Sequence, residues 1–184
     1  IASAFHSAGQ RCSALRCLYI QEDIAQDIVN MIIGAMNELS VGNPKRISTD
    51  IGPVIDHQSK TTIDQYIAKA RSFNHVLHSL RVDSDGSFVS PTLIRIDSID
   101  DLEQEIFGPV LHVATFNSDD LDKVIDGINR KGYGLTFGLH TRIDSRVQKI
   151  SECVNAGNIY VNRNQIGAVV GTQPFGGEGL SGTG

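Results

Sequence analysis

The sequence predicts an α/β protein with a mostly parallel sheet covered by helices on both faces. Helical and strand-like stretches alternate along the 184 residues. The helical stretches run for roughly ten residues or more, the spacing expected of βαβ units. No internal repeat, low-complexity tract or linker divides the chain, and its length suits one domain with a sizeable core.

Leu15 to Ile20 reads as a short strand. Asp23 is placed to cap a helix running to about Leu39, with Ile24, Ile28, Ile32, Ala35 and Leu39 on one face. Gly42-Asn43-Pro44 stops it. A second helix starts near Ser59, with Ile63, Ile67 and Ala70 as its apolar stripe. His75 to Leu80, Phe88 to Ile96 and Leu111 to Phe116 are strand-like. Asp119 to Asn129 is helical, with Leu121, Val124, Ile125 and Ile128 at helical spacing, and Gly132-Tyr133-Gly134 breaks it. Leu135 to His140 is a strand, Ser145 to Val154 a helix and Ile159 to Val161 a strand. Beyond Asn164 the chain is glycine-rich, which suits a functional loop better than a core element.

Composition excludes several classes. An apolar fraction of 40%, a charged fraction of 20% and a net charge of -5 describe an ordinary soluble protein. No basic stripe is present to meet phosphates, so nucleic acid is not an expected partner. No apolar run approaches the roughly 18 residues of a membrane helix, and no signal peptide is expected. Cys12, Cys17 and Cys153 have no framework spacing, which favours a cytosolic, reducing compartment over a disulfide-stapled secreted domain. A chain that begins at Ile1 and stops in a glycine-rich run reads as a piece of a larger protein.

Cys12 lies just before a strand, behind Gly9 and beside Arg11. A reactive thiol needs partial exposure and a positive neighbourhood, because the thiolate is the nucleophile. The alternative is a small buried residue at the start of a strand. Cys17, five positions on, points to the opposite strand face and is expected to be buried. Cys153, near Val147, Ile150 and Val154, is expected in the core. His75 and His78 have no companion ligands at zinc spacing, so no metal site is expected.

Phe5-His6-Ser7-Ala8-Gly9-Gln10-Arg11-Cys12-Ser13-Ala14 resembles the aldehyde dehydrogenase active-site pattern F-x-x-x-G-Q-x-C-x-A at every fixed position. Glu105-Ile106-Phe107-Gly108-Pro109, Gly157-Asn158-Ile159-Tyr160-Val161-Asn162 and Pro174-Phe175-Gly176-Gly177 are similar to further motifs of that family, in the same order. The glycine-rich stretch from Asn162 to Gly184, with Tyr133 to Arg142, resembles the 1-pyrroline-5-carboxylate dehydrogenase branch, in particular the dehydrogenase part of bifunctional bacterial proline utilisation A proteins.

The resemblance implies a Rossmann-like three-layer catalytic domain spanning residues 1–184, NAD or NADP as cofactor, and L-glutamate γ-semialdehyde as the aldehyde. It implies that Cys12 is the nucleophile. Glu105 would hold a ribose of the cofactor, and Phe107 would lie near the nicotinamide. Gly167 and Ala168 amides and the Ser13 hydroxyl would hold the substrate's α-carboxylate, with Phe175 near the aldehyde chain. Asn162 would organise the loop rather than act in the chemistry. In the family the cofactor domain, the general-base Glu and an oxyanion Asn lie upstream of the cysteine motif, and no dinucleotide glycine fingerprint occurs here. A proline dehydrogenase domain and a second copy of the chain are further implied partners.

The residues alone leave two other readings. One is a cofactor-free cysteine hydrolase using His6, His112 or His140 as base. The other is a non-catalytic oligomerising module. Because the chain has no dinucleotide fingerprint, the isolated 184-residue polypeptide is expected to show no NAD-dependent oxidation of aldehydes. Robust turnover in a spectrophotometric NADH assay would refute that expectation.

Overall fold

The computed structural model describes residues 1–82, 85–168 and 170–182; Val169, Thr183 and Gly184 of the glycine-rich stretch lie outside the described residues. The chain divides into two compact units, Ile1–Thr115 and Phe116–Gly184.

The first unit opens with a short helix, α1 (Ala2–Phe5), and then β1 (Cys17–Gln21), α2 (Glu22–Asn37), α3 (His57–Ser72), β2 (Val76–Ser79), β3 (Thr92–Arg95) and β4 (Val110–Phe116). The strands form one sheet in the order β1-β4-β3-β2. β3 and β4 are parallel, with Thr92 opposite Val110 and Arg95 opposite Val113, whereas β2 pairs antiparallel at the edge. β4 runs through the core: Val110 to Ala114 are all buried, as expected of a strand covered on both faces. β3 is shorter than the predicted Phe88–Ile96 because Pro91 has no N–H to give to a ladder.

α2 departs from expectation at its start. Gln21 is the N-cap residue and contributes no side-chain cap. Asp23 instead lies in the first turn, where its carboxylate accepts from Gln21 Nε2 at 2.8 Å. The buried stripe is also rotated. Ala25 and Met36 are buried, Ile28, Val29, Ile32 and Ile33 pack against the core, and Ile24 and Ala35 are exposed. α3 is capped by Asp56, which accepts from the Ser59 N–H at 2.7 Å, and it buries Ile63 and Ile67.

The second unit contains α4 (Leu121–Lys131), β5 (Tyr133–Gly134), β6 (Thr136–Leu139), α5 (Asp144–Cys153), β7 (Asn158–Val161) and β8 (Glu178–Gly179). Gly132 ends α4 in the left-handed conformation at φ 81°. β6 and β7 are parallel, and β5 pairs antiparallel with β8. Asn129 ties the end of α5 down: its amide donates to the Cys153 carbonyl and its oxygen accepts from the Asn155 N–H, each at 2.8 Å. Cys153 itself is exposed, contrary to expectation. α5 turns Ile150 inward, and Cys153, three positions on in the last turn, faces out. Among the described residues, no helix is long and apolar enough to cross a membrane.

Two backbone approaches fix these units from within. In the first, a methyl on Gly9 would sit 2.1 Å from the Gly108 carbonyl oxygen. In the second, a methyl on Gly157 would sit 1.9 Å from the Gly176 carbonyl oxygen. Glycine at Gly9 is required twice over, since its φ is also +65°. Gly34 offers the contrast, because it lies on α2 with nothing within 4 Å of an added methyl. Gly9→Ala is therefore expected to cost more than about 2 kcal/mol, and Gly34→Ala to add about 0.5–1 kcal/mol. Thermal melts of the two variants should move in opposite directions.

Candidate active site

Cys12 follows a left-handed turn. Ser7 (φ 55°, ψ 32°), Ala8 (φ 53°, ψ 33°) and Gly9 (φ 65°) all adopt that conformation. It costs roughly 1–2 kcal/mol for each residue with a Cβ, so the turn persists only where contacts hold it. Ala8 and Gly9 are buried. The Gln10 N–H donates to the Ser7 carbonyl at 3.0 Å, and Arg11 Nε donates to Ser7 Oγ at 2.9 Å. The Gln10 side chain reaches across the unit, donating to the Pro53 carbonyl at 3.3 Å and accepting from the Ile55 N–H at 2.9 Å. The result is an exposed Cys12 on a braced loop, followed by Ser13, which is 6% exposed.

The cation that organises this site is Arg16. Its Nη1 donates to the Gly9 carbonyl, its Nη2 to the Arg11 carbonyl at 3.1 Å and its Nε to Glu105 Oε1 at 3.2 Å. The guanidinium carbon lies 4.5 Å from the centroid of the Phe107 ring. Burial lowers the Arg16 pKa, opposed by the hydrogen bond and charge of Glu105 and by the charge of Cys12. Arg11, the cation adjacent to Cys12 in sequence, is instead turned onto Ser7. Arg16 had one signal in the sequence: a charged residue inside an otherwise apolar strand-like stretch, where unpaired charge is costly.

The first unit thus gathers Cys12, Glu105 and Phe107 around one guanidinium. Glu105 keeps its side chain 31% exposed and Phe107 is 45% exposed. Glu103 has no such tether and is exposed. Behind Arg16 lies His112 on β4, whose main-chain N–H and Nδ1 both donate to the Arg16 carbonyl, at 3.0 and 2.8 Å. That assignment leaves Nε2 to accept from the Tyr66 hydroxyl at 2.8 Å. Burial pushes the His112 pKa down to about 4, so the ring is neutral near pH 7. With both nitrogens engaged it cannot act as a base for Cys12. Among the described residues no histidine hydrogen-bonds Cys12. His78 pairs with Asn37 Oδ1 at 2.8 Å, and His75 lies against the Phe73 ring. Cys17 packs against the core, with burial pushing its thiol up to about 12.

Gly167, Ala168 and Phe175 belong to the second unit. Gly167 and Gly171 have φ of 83° and 80° with open space around each α-carbon. Phe175 is 45% exposed. Two asparagines brace the glycine-rich loop that carries them. Asn162, itself left-handed at φ 55°, accepts from the Thr141 N–H at 3.0 Å and donates to its carbonyl at 2.9 Å. Asn158 Nδ2 donates to the Pro174 carbonyl at 2.8 Å, and its Oδ1 accepts from the Gly176 N–H at 3.3 Å. Asn158 and Gln10 carry no titratable group or nucleophile. Only their long-range partners reveal what they do.

A profile of the aldehyde dehydrogenase family matches residues 1–184, and the chain belongs to that family. It is similar to the bifunctional protein PutA of Klebsiella aerogenes, at 53% identity over 192 residues covering 100% of this chain and 15% of that protein. It is 37% identical over 187 residues to the 1-pyrroline-5-carboxylate dehydrogenase of Bacillus cereus (strain B4264), covering 100% of this chain and 36% of that protein. Among solved structures, a mutant of Bradyrhizobium japonicum proline utilization A superposes with a TM-score of 0.96 at 48% identity, covering 100% of this chain and 19% of that one. A Thermus 1-pyrroline-5-carboxylate dehydrogenase with bound NAD gives 0.89 at 31% identity, covering 99% of this chain and 35% of that one. The chain therefore spans only a minor part of each of these relatives.

His112 gives the site a pH signature. The unfolded chain takes up a proton at the ordinary histidine pKa of 6.5, whereas the folded one does so only near 4. The neutral-ring contribution is thus fully present above pH 6.5 and is lost as pH falls through that window. The loss is on the order of 3 kcal/mol. Urea unfolding at pH 7 and pH 4.5 should show it, and His112→Gln should lose less stability than the wild type over the same interval.

Proposed function

We propose that this chain is the cysteine-bearing catalytic domain of an enzyme that oxidises L-glutamate γ-semialdehyde, the open form of 1-pyrroline-5-carboxylate, to L-glutamate. The observation that carries the reading is the exposed Cys12 on a braced loop, joined through Arg16 to Glu105 and Phe107. The names of the relatives supply the substrate, and their larger size is consistent with a cofactor domain and a proline dehydrogenase domain elsewhere in the whole protein.

In this reading the Cys12 sulfur adds to the aldehyde carbon as a thiolate. The carbonyl electrons move to oxygen, and the Cys12 N–H supports the oxyanion that forms. Glu105 and Phe107 would hold NAD, which supplies the hydride acceptor. Their surroundings fit this role: a part-exposed carboxylate accepts from ribose hydroxyls, and a part-exposed ring offers an apolar face. After oxidation the substrate is an acyl group held as a thioester on Cys12. Water hydrolyses it, releasing the acid and the thiolate. The general base and a second oxyanion donor, a Glu and an Asn in the family, are assigned to regions upstream of the cysteine motif.

The substrate's α-carboxylate is assigned to the Gly167 and Ala168 amides and the Ser13 hydroxyl. Successive N–H groups around a residue of positive φ make an anion cradle, and the conformation of Gly167 supports that part of the reading. Phe175 is assigned to the aldehyde chain.

The test is NAD reduction by the protein extended to include its cofactor domain, with glutamate γ-semialdehyde against acetaldehyde, for wild type and Cys12→Ala. The expected result is a strong preference for the semialdehyde that Cys12→Ala abolishes, a loss of at least about 10³-fold. Equal rates on both aldehydes would remove the carboxylate assignment. Activity surviving Cys12→Ala would remove the nucleophile.

A further inference from the structure

Arg16 touches three groups. Two are the carbonyls of Gly9 and Arg11, on the loop that carries Cys12. The third is the carboxylate of Glu105, 89 positions away in sequence. Its side chain is 14% exposed, and Phe107 lies against the guanidinium. The main chain of Arg16 is held independently by the two His112 donors. The guanidinium is therefore fixed at its root and engaged at its tip, in the fork geometry that only arginine offers.

The Arg11 carbonyl belongs to the same peptide as the Cys12 N–H. Donation into that carbonyl fixes the plane of the peptide and so the direction of its N–H. It also polarises the peptide, which strengthens the N–H as a donor. The Nε donor meanwhile holds one oxygen of Glu105, and a tethered carboxylate loses less rotamer freedom when a ligand binds it. We propose that Arg16 is a positioning residue that sets the Cys12 oxyanion donor and the Glu105 carboxylate with a single guanidinium, coupling nucleophile geometry to cofactor binding. The proposal rests on the reading that Cys12 and Glu105 serve one dehydrogenase reaction.

The experiment uses the full-length enzyme with Arg16→Met, Arg16→Lys and Glu105→Gln. The first readout needs no cofactor: the rate of Cys12 alkylation by iodoacetamide, followed by peptide mass spectrometry, with the exposed Cys153 as internal reference. The second is kcat and the KM for NAD with glutamate γ-semialdehyde. Arg16→Met should lower kcat and raise the KM for NAD, each by about tenfold, and slow Cys12 alkylation about fivefold relative to Cys153. Glu105→Gln should raise the KM for NAD while leaving alkylation within about twofold. The double variant should have a KM for NAD no higher than the worse single one, because both remove the same link. Arg16→Lys keeps the charge without the fork, so it should restore alkylation but not the KM for NAD.

Folded Arg16→Met with wild-type alkylation and a wild-type KM for NAD would overturn the proposal. If that variant does not fold, Arg16→Lys decides, and a wild-type KM for NAD there overturns it equally. A wild-type enzyme that neither binds NAD nor oxidises the semialdehyde would instead defeat the underlying dehydrogenase reading.

Discussion

The Gly9 α-carbon lies so close to the Gly108 carbonyl that no side chain fits between them. That contact joins the Cys12 loop to the segment holding Glu105 and Phe107, and the rest of the first unit's site follows from it. Gly9 is left-handed, which sends its own carbonyl to Arg16. Gly108 in turn sits against Ile63 of α3, where a methyl would come within 2.6 Å of Cδ1. The loop and the Glu105 segment thereby meet at backbone distance, and α3 closes on them through the Ile63 side chain. The cost of three consecutive left-handed residues is met by the Gln10, Arg11 and Arg16 hydrogen bonds around them.

The second unit repeats the device with different residues. Gly157 meets the Gly176 carbonyl, and Asn158 fastens the Pro174–Gly176 turn from the adjoining position. In each unit a glycine admits the backbone; in the second the Asn158 amide also holds it there, whereas Gln10 of the first reaches instead to Pro53 and Ile55. The two sites differ in electrostatics. The first is built on a nearly buried cation with a carboxylate partner, whereas the second uses neutral amides.

Much of this was legible in the sequence. Helix and strand positions followed from periodicity, and Gly9, Gly108, Gly157 and Gly176 stood in the quoted motifs, but their close approaches came only with the structure. What could not be read depends on partners far along the chain. Gln10 works through Pro53 and Ile55, and Arg16 through Glu105. Neither partnership leaves a local pattern. Two local expectations failed for reasons of geometry. Asp23 sits two residues past the capping position of α2, and Cys153 lies on the outward side of the last turn of α5. Periodicity finds a stripe but fixes its centre only to within a residue or so.

The paired clamps of Asn162 on Thr141 and Asn158 on Pro174 have an evolutionary corollary. They fasten the glycine-rich loop near its two ends, while a methyl added to Gly167 or Gly171 between them would meet nothing within 4 Å among the described residues. Gln165 and Ile166 between the clamps are buried, so change is confined to the exposed positions of the segment, Gly167 and Gly171 among them. Drift or exchange at those exposed positions leaves β6 and β7 as they are, so the second unit can vary one tethered segment on an unchanged scaffold.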